Sequence, residues 1–153
     1  MAKASIKIDV DVNGIAKAIR QISKFDITTQ QRVKDTVNKH ALNIQSLAKK
    51  NLTKNGSVDT GRLRSSIAME PYNEGLTIRV GSALKYAPYV EYGTGKFAKN
   101  GSGRKTPWVY KNRKGDFIWT RGQKPKPYLH PAAEADRKDY INDMKQVLKN
   151  IKV

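Results

Sequence analysis

Between Thr28 and Leu52, apolar residues fall at Val33, Val37, Ala41, Ile44, Leu47, Ala48 and Leu52, the three-to-four spacing of one helical face. Arg32, Lys34, Asp35, Lys39, Lys49 and Lys50 take the opposite face, and Thr28 or Thr29 is placed to cap the first turn. At ~1.5 Å per residue this helix is roughly 37 Å long. In a chain of 153 residues that makes it a spine against which a sheet must pack. His40 reads as a histidine on its polar face.

The stretch from Val58 to Tyr92 carries the most distinctive local signals. Asp59 or Thr60 is a good N-cap, and Leu63, Ser66 and Ile67 share one face of a short helix. After a turn at Asn73-Glu74-Gly75, Leu76, Ile78 and Val80 alternate with Thr77, Arg79 and Gly81, as in a half-buried strand. Tyr86-Ala87-Pro88-Tyr89-Val90-Glu91-Tyr92-Gly93 follows, with Gly93 ending a local helix in a left-handed conformation. Upstream, Ile6, Ile8, Val10 and Val12 alternate with Lys7, Asp9 and Asp11 in an expected strand at 5–12, before a short helix carrying Ile15, Ala18, Ile19 and Ile22.

Composition changes sharply at residues 96–127. Ten residues there are Lys or Arg and only Asp116 is acidic, a net +9 within a chain of +17. Trp108-Val109-Tyr110 and Phe117-Ile118-Trp119 flank a polar turn, which predicts a basic hairpin with aromatic arms and Trp108 opposite Trp119. Asn100-Gly101-Ser102-Gly103 before it and Gly122 to Pro127 after it read as flexible or extended. The tail from Pro131 to Val153 is expected to return to helix, over 131–150, with Ala133, Tyr140, Ile141, Met144, Val147, Leu148 and Ile151 as its apolar stripe.

The charge balance favours polyanions or acidic protein surfaces. With no cysteine there are no disulfides, thiolate nucleophiles or cysteine metal sites. Only two histidines are present, and no metal-binding or phosphate-loop motif accompanies them. Glu91 with Asp59 lacks a tuning partner for acid–base work, so Glu91 is better read as pairing with an arginine or accepting backbone amides at an interface. No catalytic residue, metal or cofactor is expected. No membrane segment is expected either, and the N-terminus has no apolar leader core. A small basic nucleic-acid-binding protein or nuclease is the alternative reading.

Four motifs occur in order: Asp59-Thr60-Gly61-Arg62-Leu63-Arg64-Ser65-Ser66, Val80-Gly81-Ser82, Tyr86 to Thr94, and Pro127-Tyr128-Leu129-His130-Pro131-Ala132. Together, over residues 28–150, they resemble the neck or tail-completion (head–tail joining) minor structural proteins of long-tailed phages. The resemblance implies one non-enzymatic α+β domain over residues 1–153, with a long helix on a mainly antiparallel sheet, an extended basic hairpin and a C-terminal helix. It implies a homo-oligomeric ring in the virion, assembled in the host cytoplasm, that joins a head-closure or connector protein to a tail terminator or tail tube protein. Double-stranded DNA would pass through the ring without sequence-specific contact, and sixfold and twelvefold symmetry both stay open. Asp59, Thr60, Gly61, Leu63, Ser66, Tyr86, Tyr89, Glu91, Tyr92, Gly93, Trp108, Trp119, Leu129 and Pro131 would serve the subunit interface or structural motif. Lys96, Lys99, Arg104, Lys105, Arg113 and Lys114 would face DNA or an acidic partner. Segment 96–127 would become ordered only on assembly.

Overall fold

A computed structural model describes residues 24–56 and 61–149, with Lys17, Arg20 and Gln21 in addition. The expected strand at 5–12 and the caps at Asp59 and Thr60 lie outside the described residues. The architecture is α+β. Helix α1 spans Ile27–Lys54. The one-turn helix α2 spans Arg62–Ser65, and α3 spans Ala87–Tyr92. Helix α4 spans Leu129–Lys149, two residues earlier than expected. Strands β1 (Ile67–Tyr72) and β2 (Thr77–Ser82) form one antiparallel pair. Strands β3 (Trp108–Lys111) and β4 (Phe117–Thr120) form a second.

The spine forms as its periodicity dictates, but its cap does not. Asp26 is the N-cap and its carboxylate accepts from Thr29 N at 2.6 Å, so Thr28 and Thr29 lie inside the helix. A carboxylate suits this position better than a hydroxyl because the exposed first-turn amides carry partial positive charge. Ala48 and Leu52 of α1 close over Leu63, Ile67, Ala87, Tyr128, Leu129 and Ala132, with Ile44, Leu47, Val80, Leu84 and Val90 at the margin. Burying each large side chain here contributes about 1.5–3 kcal/mol.

The expected helical face through Leu63, Ser66 and Ile67 is corrected by the structure. The helix stops at Ser65 and Ile67 opens β1, where it is buried as a strand residue opposite Ser82. Ser66 Oγ donates to Leu63 O at 2.8 Å and lies 2.7 Å from Ser82 Oγ, which pins this switch from helix to strand. Strand β1 was not anticipated because Ala68, Glu70 and Pro71 break any alternation of apolar residues. Pro71 is tolerated since a two-stranded sheet consists of edges. The turn places Asn73, Glu74 and Gly75 all at positive φ.

The segment 96–127, expected to become ordered only on assembly with flexible or extended flanks at 100–103 and 122–127, is cross-braced within the single chain. Thr94 N donates to Gln123 O, Lys96 N to Arg121 O, Lys99 N to Tyr92 O, and Lys126 N to Val90 O. Glycines permit the crossing: a Cβ on Gly95 would stand 2.3 Å from Arg121 O, and one on Gly122 2.1 Å from Thr94 O. From this base the β3–β4 ribbon projects, its strands paired only with each other.

Candidate assembly surfaces and the clasp that positions them

Two of the distant motifs meet in space at Glu91. Its side chain is 2% exposed, and it accepts three backbone amides at the start of α4. Oε2 takes Tyr128 N at 2.8 Å and Leu129 N at 3.0 Å, and Oε1 takes His130 N at 2.9 Å. The carboxylate therefore satisfies amides that the helix itself cannot, and sits where the helix dipole favours an anion. Asn51 Nδ2 donates to Tyr128 O at 3.0 Å, and Asn55 Nδ2 to Pro127 O at 2.8 Å. One segment, 127–130, is thus held from α1 on one side and α3 on the other. The sequence offers Glu91 either an arginine partner or backbone amides at an interface; it accepts backbone amides, and they belong to its own chain.

Gly93 closes the clasp. It ends α3 at φ 78, ψ 177, which is extended with positive φ rather than the left-handed helical cap expected. Only glycine occupies that region readily. A Cβ there would approach Gln123 O and Pro125 Cδ, each at 2.8 Å. Tyr128 is fully buried beside this joint, and its hydroxyl finds no hydrogen-bond partner among the described residues. Burial above all, and Glu91 beside it, push that phenol well above its ordinary range.

His40 is the residue that sequence reasoning misplaced. It is buried, not on a polar face, and lies between two carboxylates of α4. Nδ1 is 2.8 Å from Asp136 Oδ2, and Nε2 is 3.1 Å from Asp143 Oδ2. Asn43 Nδ2 donates to Asp136 Oδ1 at 2.6 Å, Lys39 Nζ to Asp143 Oδ2 at 2.6 Å, and the Tyr140 ring meets His40 edge-on at 5.3 Å. The Lys39 ammonium, then His40, hold the Asp143 carboxyl below its ordinary range, and Asp143 in return raises Lys39. His40 does lie at helical spacing from Val33, Val37 and Ile44, and Asp136 and Asp143 sit seven apart with Tyr140 between them. That pairing of stripes was the available signal. The expected stripe on α4 holds in part: Ala133, Met144 and Val147 are half-buried and Tyr140 packs against His40, but Ile141 and Leu148 are exposed, and the buried positions are Leu129, Ala132 and Asp136.

The ribbon keeps its predicted form but not its predicted pairing. Trp108 pairs with Thr120 and Trp119 with Val109, so the two indoles lie on opposite faces. Val109, Lys111, Phe117 and Trp119 share one face, where Phe117 is 76% exposed and Trp119 59%. Lys111 Nζ stands 5.8 Å from the Phe117 ring and the Arg121 guanidinium 5.1 Å from Trp119. Trp108 instead turns toward the base, near Gly95, with Arg104 over its ring at 5.7 Å. Lys96, Lys99, Arg104, Lys105, Arg113 and Lys114 are all exposed. Among the remaining site residues, Leu63 and Leu129 belong to the core, Pro131 lies in the first turn of α4, and Tyr86, Tyr89 and Tyr92 are exposed along α3.

Among the described residues, no group of three or more His, Cys, Asp or Glu is placed to hold a metal ion, and no helix is long and apolar enough to cross a membrane. What the fold defines is an α+β scaffold with a clasped helix and a projecting basic, aromatic ribbon. The family model described as "Bacteriophage HK97-gp10, putative tail-component" matches residues 16–93, just over half of the chain, and the chain belongs to that HK97-gp10-like family. The match takes in α1, both strands of the first sheet and α3 through Gly93, while the ribbon and α4 lie beyond it. Neither a curated protein nor a solved structure matches the chain.

Proposed function

We propose that this tail component is a non-enzymatic structural subunit of the virion that forms a homo-oligomeric ring at the head–tail junction. One ring face meets the connector or head-closure protein, the other meets the tail terminator or tube, and duplex DNA runs through the channel. The observation that carries the reading is the ribbon: two four-residue strands exposing Phe117 and Trp119 beside Lys111 and Arg121. An isolated two-stranded hairpin is marginal in water, and exposed aromatic surface of this kind marks a contact site. The net charge of +17 supplies an attraction to phosphate that depends on salt and not on base sequence. Such attraction lets DNA slide past, where tight base contacts would obstruct it.

Labelling virions with an antibody against this protein, followed by electron microscopy, tests the location. Label at the junction is expected; label confined to the tail tip, or none on intact particles, overturns the junction role. A plasmid-nicking assay with divalent metal tests the absence of catalysis, and turnover would refute it.

A further inference from the structure

An open groove runs along one side of the α1–α4 pair. Two adjacent depressions of about 420 and 680 Å³ make it up, and they meet at the Lys39–Asp143 ion pair that lines both. Asp35, Asp136, Asp139 and Asp143 line it together with Arg32, Lys39 and His40, and of the four carboxylates Asp136 is buried. Its apolar surface is exposed Leu42 at one end and half-buried Val147 at the other. Asp136 and Asp143 are engaged by His40, but Asp139 makes no hydrogen bond or ion pair within the described residues, and Asp35 is held only by the neutral Gln31 amide. In a chain of +17 this concentration of acid is unusual.

The ribbon has the complementary chemistry: a flat aromatic face, Phe117 and Trp119, edged by Lys111 and Arg121. Face-to-face packing of two ribbons as an isologous pair is disfavoured, because it sets Lys111 and Arg121 of one copy against those of the other. We infer that the β3–β4 ribbon of one copy seats in the acidic α1–α4 groove of the next, with Phe117 and Trp119 over Leu42 and Lys111 and Arg121 against Asp35 and Asp139. The contact is head-to-tail, which closes into a ring when the rotation permits. This inference rests on the ring reading above and names its subunit contact.

Two charge-reversed proteins test it. One carries Lys111→Glu with Arg121→Glu, the other Asp35→Lys with Asp139→Lys; all four positions are exposed, so far-UV circular dichroism should match the parent. Each alone should self-associate at least tenfold more weakly in sedimentation velocity, and an equimolar mixture should recover the parental assembly. As a measurement independent of charge, Leu42→Cys with Phe117→Cys in this cysteine-free chain should give a covalent ladder of copies under mild oxidation. If the parent assembles while both reversed proteins assemble equally well, or the mixture does not recover and no ladder forms, the groove assignment is wrong and the ring reading survives. Loss of DNA retention by the ribbon variant with unchanged assembly makes DNA the ribbon's occupant and overturns the inference. A parent that stays monomeric at every concentration removes the ring reading and this inference together.

Discussion

Replacing Glu91 by alanine removes the acceptor for three amides at once. Two of them, Tyr128 N and Leu129 N, are buried, and the third is partly so. A buried donor left without a partner costs about 1–3 kcal/mol. Against that loss stands the desolvation that the buried carboxylate no longer suffers, several kcal/mol for an ionised group. Water reaching His130 N recovers part of the third bond. The balance is a destabilisation of about 3–4 kcal/mol, set by the unsatisfied amides since no partner charge is left behind. For a chain of this size it lowers the melting temperature by about 10 °C. Glu91→Gln preserves shape and one carbonyl oxygen but turns an amide donor toward His130 N, so it should cost about 1–2 kcal/mol. Urea titrations followed by circular dichroism measure both. An alanine variant within about 0.5 kcal/mol of the parent would refute the clasp, as would a glutamine variant less stable than alanine.

Other outcomes follow from the same geometry. Tyr128→Phe deletes a buried hydroxyl without a partner among the described residues, so stability should be unchanged or higher by up to about 1 kcal/mol in the same titration. Gly93→Val forces a Cβ against Gln123 O and Pro125 at positive φ and should cost more than about 2 kcal/mol and abolish assembly, whereas Lys99→Ala or Lys105→Ala stays within about 0.5 kcal/mol. The parent should exceed Asp143→Asn in stability at neutral pH. Because the folded Asp143 carboxyl lies below its unfolded value, this advantage is present above the unfolded pKa and disappears as pH falls through the folded one. The raised Lys39 gives the opposite edge, with the advantage fading as pH climbs through its folded value. Thermal melts across pH 2 to 11, at about one-unit steps, trace both edges.

Local patterns carried much of this fold and distance concealed the rest. Helix α1, the β2 strand and the ribbon announce themselves through periodicity and turn residues that act over a few positions. So does the clustering of Tyr86 to Gly93 and of Pro127 to Pro131, although nothing local says that the first cluster holds the second through Glu91. His40 was misread because its partners lie 96 and 103 residues away on another helix, where no window on α1 can see them. Strand β1 escaped because Glu70 and Pro71 oppose strand formation, and pairing with β2 and packing of Ile67 on α1 rescue it. The glycine crossing at 95 and 122 looked flexible for a similar reason: composition records conformational freedom, not the close approach that freedom serves.

Assembly of copies of this chain through the ribbon is the central requirement. Native mass spectrometry of the parent protein, beside a form with Lys111-to-Phe117 replaced by a short Gly-Ser turn, measures this directly. A single closed species of fixed copy number for the parent and monomer for the shortened form is the predicted result. A parent that is monomeric throughout, or a shortened form with the same copy number, would contradict it.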